Sequence, residues 1–330
     1  MTLASRLVAV LAAAFLSAGP APAGENLVIG GASPGGLWSM LGAGIDRAVR
    51  AAGVGSATYQ TSAGGFANIA LITRGDVDLG IAHDAEIAAA VAGRAPFTEP
   101  YENLRAIAVL YDFSMLHPLV TEDFAERHDL ATIGDIQSAK APLRVVVNRP
   151  GNIAREVALA LLEAHGITPD EIEAWGGTVH SEGSRGAVRL IKGGQADMIT
   201  NIVFAGHSSI RDMANARSVR MLVPDAAAIA ETAARFGIAE RIMPADSYPW
   251  LDQDVPTVSL KAVLLADATL PDAAVEALTS ALIEHLEKMQ SVHPAMAALT
   301  IEMMGSLATI PYHPGARTAF QRAGVTLAGD

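Results

Sequence analysis

The sequence contains no cysteine. That excludes disulfides, thiolate metal sites, cysteine nucleophiles and lipid attachment at a cysteine. Aromatic residues are scarce, at 5%. Basic residues are short as well, with 23 Lys and Arg against 35 Asp and Glu and a formal net charge of −12. Such a balance disfavours nucleic acid and anionic membrane as partners. Beyond the first twenty or so residues no apolar run is long enough to cross a bilayer. What is abundant is small and apolar: 51% hydrophobic residues and 30 glycines in a chain of 330 residues, ample for one large or two medium domains.

The first residues read as a secretory signal. Arg6 is the lone charge, Leu7 to Ala18 is an apolar run too short to span, and Ala21, Pro22 and Ala23 supply an A-x-A cleavage site. Residues 1–23 are thus expected to be removed and the mature chain to begin at Gly24. Losing Arg6 leaves 22 basic against 35 acidic residues, a net charge of −13. An exported protein without cysteine points to a bacterial periplasm.

Asn26 to Val49 reads as strand, glycine turn, helix. Leu27, Val28 and Ile29 suit a buried strand, Gly30, Gly31, Gly35 and Gly36 a sharp turn, and Leu37, Leu41, Ile45 and Val49 one buried helical face. A helix opening after such a turn points free N–H groups at the loop and would hold a small anion there. Gly31 to Gly35 also fits G-x-S-x-G, the nucleophile elbow of hydrolases, with Ser33 as nucleophile. Against that, Pro34 follows the serine and has no N–H for an oxyanion hole. The dinucleotide pattern fails too, with Ser33 in place of its central glycine and no acid near Tyr59, Gln60 and Thr61.

Ala57 to Thr61 reads as a second strand, followed by a second glycine turn, Thr61 to Phe66, and a helix carrying Asn68, Ile69 and Ile72. A third strand ends at His83 and Asp84. Leu104 to Tyr111 and Met115 to Val120 read as two strands, the second leading out of this lobe. Leu143 to Val147 then ends in Asn148, Arg149, Pro150, Gly151 and Asn152 before a helix through Ile153, Val157 and Leu161, so the strand–turn–helix unit recurs. Asp197 to Thr200 enters a strand whose end reaches Phe204, Gly206 and His207. Thr257 to Leu265 leads back, and Pro271 opens a helix through Val275, Leu278, Leu282 and Leu286. The expected architecture is α/β, with lobe I made of residues 24–117 and 257–330 and lobe II of residues 118–256. Strand ends of both lobes face one cleft.

At these landmarks the sequence resembles the TRAP-associated extracytoplasmic immunogenic (TAXI) family of solute receptors. GASPGGLWSMLG, TSAGGFAN, GDVDLGIAHD, RPGN, GQADM, AGHSS, SYPWLDQDV and PYHPGA follow the family's order from about Leu27 to the C-terminus. Ser39, Gly65 and His83 depart from its pattern, and all three are expected in the cleft. The resemblance implies a type II-like two-lobed periplasmic binding protein that closes on a small organic solute, a carboxylate or amino acid. It would deliver that solute to the membrane subunits of a TRAP permease. A periplasmic sensing subunit docking to a signalling receptor would have the same fold.

Candidate ligand contacts are Ser33, Gly36, Trp38, Ser62, Gly64, Asn68 and His83 from lobe I, and Arg149, Asn152 and Phe204 from lobe II. Ser33, Ser62 and Asn68 offer hydrogen bonds where two turns meet and are expected around a carboxylate. Trp38 either walls the pocket or packs in the core. Arg149 either pairs bidentately with a carboxylate or is a solvated surface group. No catalytic residue, cofactor or metal site is expected, and the receptor is expected to act as a monomer.

Overall fold

The computed structural model describes residues 26–329; the expected leader and its cleavage site lie outside these residues. The chain opens with β1 (Asn26–Gly30), α1 (Leu37–Ala51), β2 (Ser56–Gln60), α2 (Gly65–Thr73), β3 (Leu79–His83) and α3 (Asp84–Val91). β1 pairs in parallel with β2 and β3. The apolar period of α1 does what its sequence predicts for Leu41, Ile45 and Val49, which are buried, while Leu37 stays half-exposed at the helix start. Gly31 and Gly42 are glycine because the Tyr59 ring lies across them. A Cβ would come within 2.1 Å of that ring at Gly31 and 2.4 Å at Gly42. The Tyr59 hydroxyl accepts from Ala32 N–H (2.6 Å) and donates to Ala32 C=O (3.1 Å), pinning the turn after β1 onto β2.

β4 (Leu104–Thr121) follows as one strand of 18 residues. This corrects the reading of two strands with a break between Tyr111 and Met115. Ser114 pairs with Leu260 on one side and Phe204 on the other, so the ladder runs through the polar step. The chain then builds α4 (Glu122–His128), α5 (Ile133–Ala139), β5 (Arg144–Val147), α6 (Ile153–Ala164), α7 (Pro169–Ala174), β6 (Thr178–Ser181), α8 (Ser184–Lys192), β7 (Met198–Phe204), α9 (Ser208–Ala216), β8 (Val219–Met221), α10 (Ala226–Phe236) and β9 (Ala239–Met243). It returns through β10 (Val255–Asp267) and ends in α11 (Asp272–Glu284), α12 (Leu286–Gln290), α13 (Ile301–Met304) and α14 (Pro314–Arg322). The predicted helix from Pro271 through Leu286 is broken at His285, which separates α11 from α12.

All ten strands join one sheet in the order β2-β1-β3-β10-β4-β7-β5-β6, with β8 on β4 and β9 on β10. The two ends of the sheet are parallel, as β1 with β2 and β3, and β5 with β6 and β7. Between them β4 and β10 run antiparallel to each other, each long enough to belong to both ends. Their register shifts three times between Leu260 and Leu265, so the ribbon is irregular where it passes from one half to the other.

The buried side chains follow the same division. One core gathers Ile29, Leu41, Ile45, Ile81, Leu265, Leu282 and Phe320. In the other half Phe124, Val145, Val157, Leu161 and Ile229 form one core, and Ile199, Ile210, Met221 and Val255 form another. The fold is therefore two α/β lobes on a shared sheet.

At the crossing, His117 on β4 is fully buried. Its Nδ1 lies 2.8 Å from Met115 C=O and its Nε2 2.8 Å from the Tyr248 hydroxyl. A carbonyl only accepts, so Nδ1 carries the proton of the neutral ring and Nε2 accepts from Tyr248. Burial pulls this imidazole down to about 4. Tyr248 in turn accepts from Gly206 N–H (3.1 Å) and stacks on Trp250.

Candidate functional site

Two adjoining cavities lie where the lobes meet. One, of about 300 Å³, is lined by Ser33, Trp38, Ser62, Gly64, Gly65, His83 and Glu86 from the first lobe, and by Gly151, Asn152 and Ile153 from the second. The other, of about 270 Å³, shares Ala32, Ser33, Trp38 and His83 and adds Gly36, Leu37, Tyr111, Ser114, Ile202, Phe204 and His207. The residues come from the turns after β1, β2 and β5, the end of β3, the crossing strand β4 and the end of β7. These are the carboxyl ends of parallel strands, where open α/β sheets hold their ligands.

The turns deliver helix N-termini to the cleft. α1 opens at Gly36 and α2 at Gly64, neither capped by a side chain, so their first N–H groups stay available. Gly64 has φ 115°, a backbone that L side chains rarely adopt. α6 opens at Asn152, whose Oδ1 accepts from Ala154 N–H (2.9 Å).

Eight of the ten sequence-predicted contacts line the cavities: Ser33, Gly36, Trp38, Ser62, Gly64, His83, Asn152 and Phe204. Trp38 resolves both its readings, being buried yet on the wall. Its Nε1–H donates to the Tyr111 hydroxyl (3.0 Å) and its ring lies 5.0 Å from that of His83. Burial raises the Tyr111 hydroxyl to about 12, so it stays protonated. Phe204 stands between His207 and His293, with ring centroids 5.0 and 4.9 Å away.

Asn68 and Arg149 lie elsewhere. Asn68 is 0% exposed and lines neither cavity. Its Nδ2 donates to Gly31 C=O and to Ile81 C=O, both at 2.7 Å, while its Oδ1 lies 2.6 Å from the Ser62 hydroxyl. It ties the first turn, the second turn and β3 together from behind. The Ser62 hydroxyl also accepts from Gly64 N–H (3.0 Å) and lies 2.6 Å from Gly31 C=O, so its bonds are largely internal as well. Arg149 is 70% exposed at its side chain and faces Glu182 at 3.5 Å. Ser39, expected in the cleft, instead braces the first turn: its hydroxyl accepts from Gly35 N–H (2.9 Å) and donates to Gly36 C=O (2.8 Å).

The sequence reading missed Glu86, Tyr111, Ser114 and Ile202. Glu86 is the most consequential, because it is the one formally charged residue among those lining the two cavities. Its Oε2 accepts from His83 N–H (2.8 Å), closing the N-terminal turn of α3. Its signal in the sequence was Gly65: a Cβ there would lie 1.8 Å from Glu86 Oε2, so the carboxylate fills the space of a side chain. Asp84, two residues before it, is 3% exposed; desolvation pushes its carboxyl up to about 7, against hydrogen bonds from Ala85 N–H and the Lys261 backbone.

Ser33 is exposed, and among the described residues its hydroxyl bonds to no histidine or carboxylate. Among the described residues no group of three His, Asp or Glu could hold a metal ion.

A two-lobed α/β fold with a cleft at the carboxyl ends of both parallel half-sheets defines the periplasmic binding protein class. Solved structures share the fold. A TctC solute binding protein from Polaromonas matches with TM-score 0.54 and 13% identity over 82% of this chain and 88% of that one. MatC from Rhodopseudomonas palustris, solved with bound malate, matches at 0.52 and 14% over 82% and 88%. PhnD1 from Prochlorococcus marinus (MIT 9301), solved with methylphosphonate, matches at 0.51 and 10% over 81% and 89%. The model of the NMT1-like family matches residues 29–324, and the chain belongs to that family.

Proposed function

We propose that this protein is a periplasmic solute receptor of the TAXI type. In this reading it captures a small organic solute, a carboxylate or amino acid, in the cleft and delivers it to the membrane subunits of a TRAP permease. It is not an enzyme. The single observation that carries the reading is the pair of adjoining cavities between the lobes, lined from the first lobe by Ser33, Trp38 and His83 and from the second by Asn152 and Phe204. Walls contributed by two bodies whose chain connections are two strands suit a ligand that favours the closed form by its extra contacts there. The open N-termini of α1 and α2 support an anionic group on the solute, since such helix ends attract negative charge without a basic side chain. The lobes in this reading are residues 24–117 with 257–330, and residues 118–256. Ser33 is a binding residue and not a nucleophile, because its neighbour Pro34 leaves no N–H for an oxyanion.

The test is a thermal-shift screen of the mature protein against small carboxylates and amino acids, followed by calorimetry on the hits. A ligand that binds only the folded state at one hundred times its Kd stabilises by about 2.7 kcal/mol, enough to raise the melting temperature by several degrees. Silence across the screen would sink the proposal. Export is checked separately by N-terminal sequencing of periplasmic material, which should begin at Gly24.

A further inference from the structure

We infer that the solute carries a protonated nitrogen and that Glu86 is the residue that selects it. This deepens the receptor reading above and rests on it.

The Glu86 side chain lies on the wall of the larger cavity and the residue is only 3% exposed. Its Oε2 is occupied by His83, through the backbone N–H at 2.8 Å and the ring Nδ1 at 3.3 Å. Its Oε1 makes no hydrogen bond among the described residues and is not one of their fully buried, unpartnered side-chain atoms, so it keeps access to the space that Glu86 lines. No Lys or Arg lines either cavity. A nearly buried carboxylate with one free oxygen is costly to hold unless a partner arrives, and the partner that repays most is a cation with N–H donors. Placement at the first turn of α3 keeps the negative charge tolerable before the ligand binds.

The packing around Glu86 shows that its place is reserved. A side chain at Gly65 would collide with both carboxylate oxygens, at 1.8 Å from Oε2 and 2.8 Å from Oε1. Ser62 is occupied by Gly31 and Asn68, and the Asn152 Oδ1 by the α6 N-terminus. Glu86 is the one charged group among the lining residues, and one of its oxygens is unpaired. A simple dicarboxylate would bring a second negative charge against it with no cation to separate them. A solute with a nitrogen at one end and an anionic group at the other meets Glu86 with the first and the open N-terminus of α1 with the second.

The experiment compares matched pairs by calorimetry on the mature protein: each amino acid of a panel against its 2-hydroxy acid, for example glutamate against 2-hydroxyglutarate and alanine against lactate, with malate and succinate alongside. The amine-bearing member should bind at least tenfold tighter. Glu86→Gln should weaken it ten- to a hundredfold and change the hydroxy acid less than threefold, which also shows that the variant site is intact. Gly65→Ala, which must displace the carboxylate, should reproduce the loss. A protein that prefers the hydroxy acids or dicarboxylates overturns the inference and leaves the receptor reading standing. So does an amine bound equally well by Glu86→Gln. No binding by any member overturns the receptor reading, and the inference with it.

Discussion

Asn68 provides the sharpest test of how the cleft is held together. Its amide group makes three hydrogen bonds in a fully buried setting, to Gly31 C=O, Ile81 C=O and the Ser62 hydroxyl. Replacement by alanine removes all three. Ser62 can still donate to Gly31, 2.6 Å away, so the main losses are at Ile81 and in the space the amide leaves. A buried hydrogen bond contributes about 1 kcal/mol net, and a stranded buried group costs about 1–3 kcal/mol. Together these give roughly 2–4 kcal/mol of lost stability for Asn68→Ala. Asn68→Asp should be worse despite its similar shape. It keeps an acceptor for Ser62 but turns a carboxylate oxygen toward two carbonyls that need a donor. Urea unfolding of the mature protein measures this directly, with an unchanged slope confirming that the midpoint shift is a stability change. If both variants unfold within about 1 kcal/mol of the parent, the amide is not the strut described and the reasoning fails.

Three further outcomes are expected. Burial holds His117 at about 4, below its ordinary 6.5, so the stability it contributes is present above pH 6.5 and lost as pH falls toward 4; Asp84, pushed up to about 7, works the other way, its burial cost being present above pH 7 and gone below pH 3.8. Hence His117→Gln should gain on the parent by up to about 3 kcal/mol between pH 7 and 4, while Asp84→Asn should be the more stable protein at pH 8 and lose that lead by pH 4; differences flat with pH in chemical denaturation would refute both assignments. Ligand binding should change tryptophan fluorescence through Trp38 on the cavity wall, and Trp38→Phe should abolish the change, leaving Trp175 and Trp250 as a constant background. Arg149→Ala should leave thermal stability almost untouched, within about 0.5 kcal/mol, because its contact with Glu182 is an exposed pair; a larger loss would mean that Arg149 holds lobe II together.

The strand–turn–helix units were legible because apolar residues at period four and glycines at the turn leave few alternatives, as in α1 and α6. Eight of the ten candidate residues line the cavities for the same reason, since strand ends in a parallel sheet converge. Asn68 lies behind the turns and not on a cavity wall, a placement hidden from the sequence because an amide in a first helical turn looks the same whether it faces a ligand or the backbone behind it. Glu86 was missed because an acid beside Asp84 in a first helical turn reads as ordinary N-terminal charge, and only the packing on Gly65 tells otherwise. Ribbon β4 was split because Asp112, Phe113 and Ser114 break the apolar run. In the fold Asp112 answers Arg241 and Ser114 sits in two ladders, which no local pattern announces. Strands β6 and β9 are largely solvent-facing and carry no apolar run, and β8 has only three residues.

The shared ribbon also bears on how such a molecule can be rebuilt. Met115 pairs with Ser259, so the chain leaves the first lobe and re-enters it at neighbouring points of one hydrogen-bonded ladder. Everything between enters and exits through that single doorway. A chimaera that grafts the corresponding segment of another receptor onto this one needs only two splice points, already side by side and in fixed register. The half carrying Glu86 would be kept and the opposing wall exchanged, giving receptors, or reporters built from them, with altered solute preference on an unaltered base.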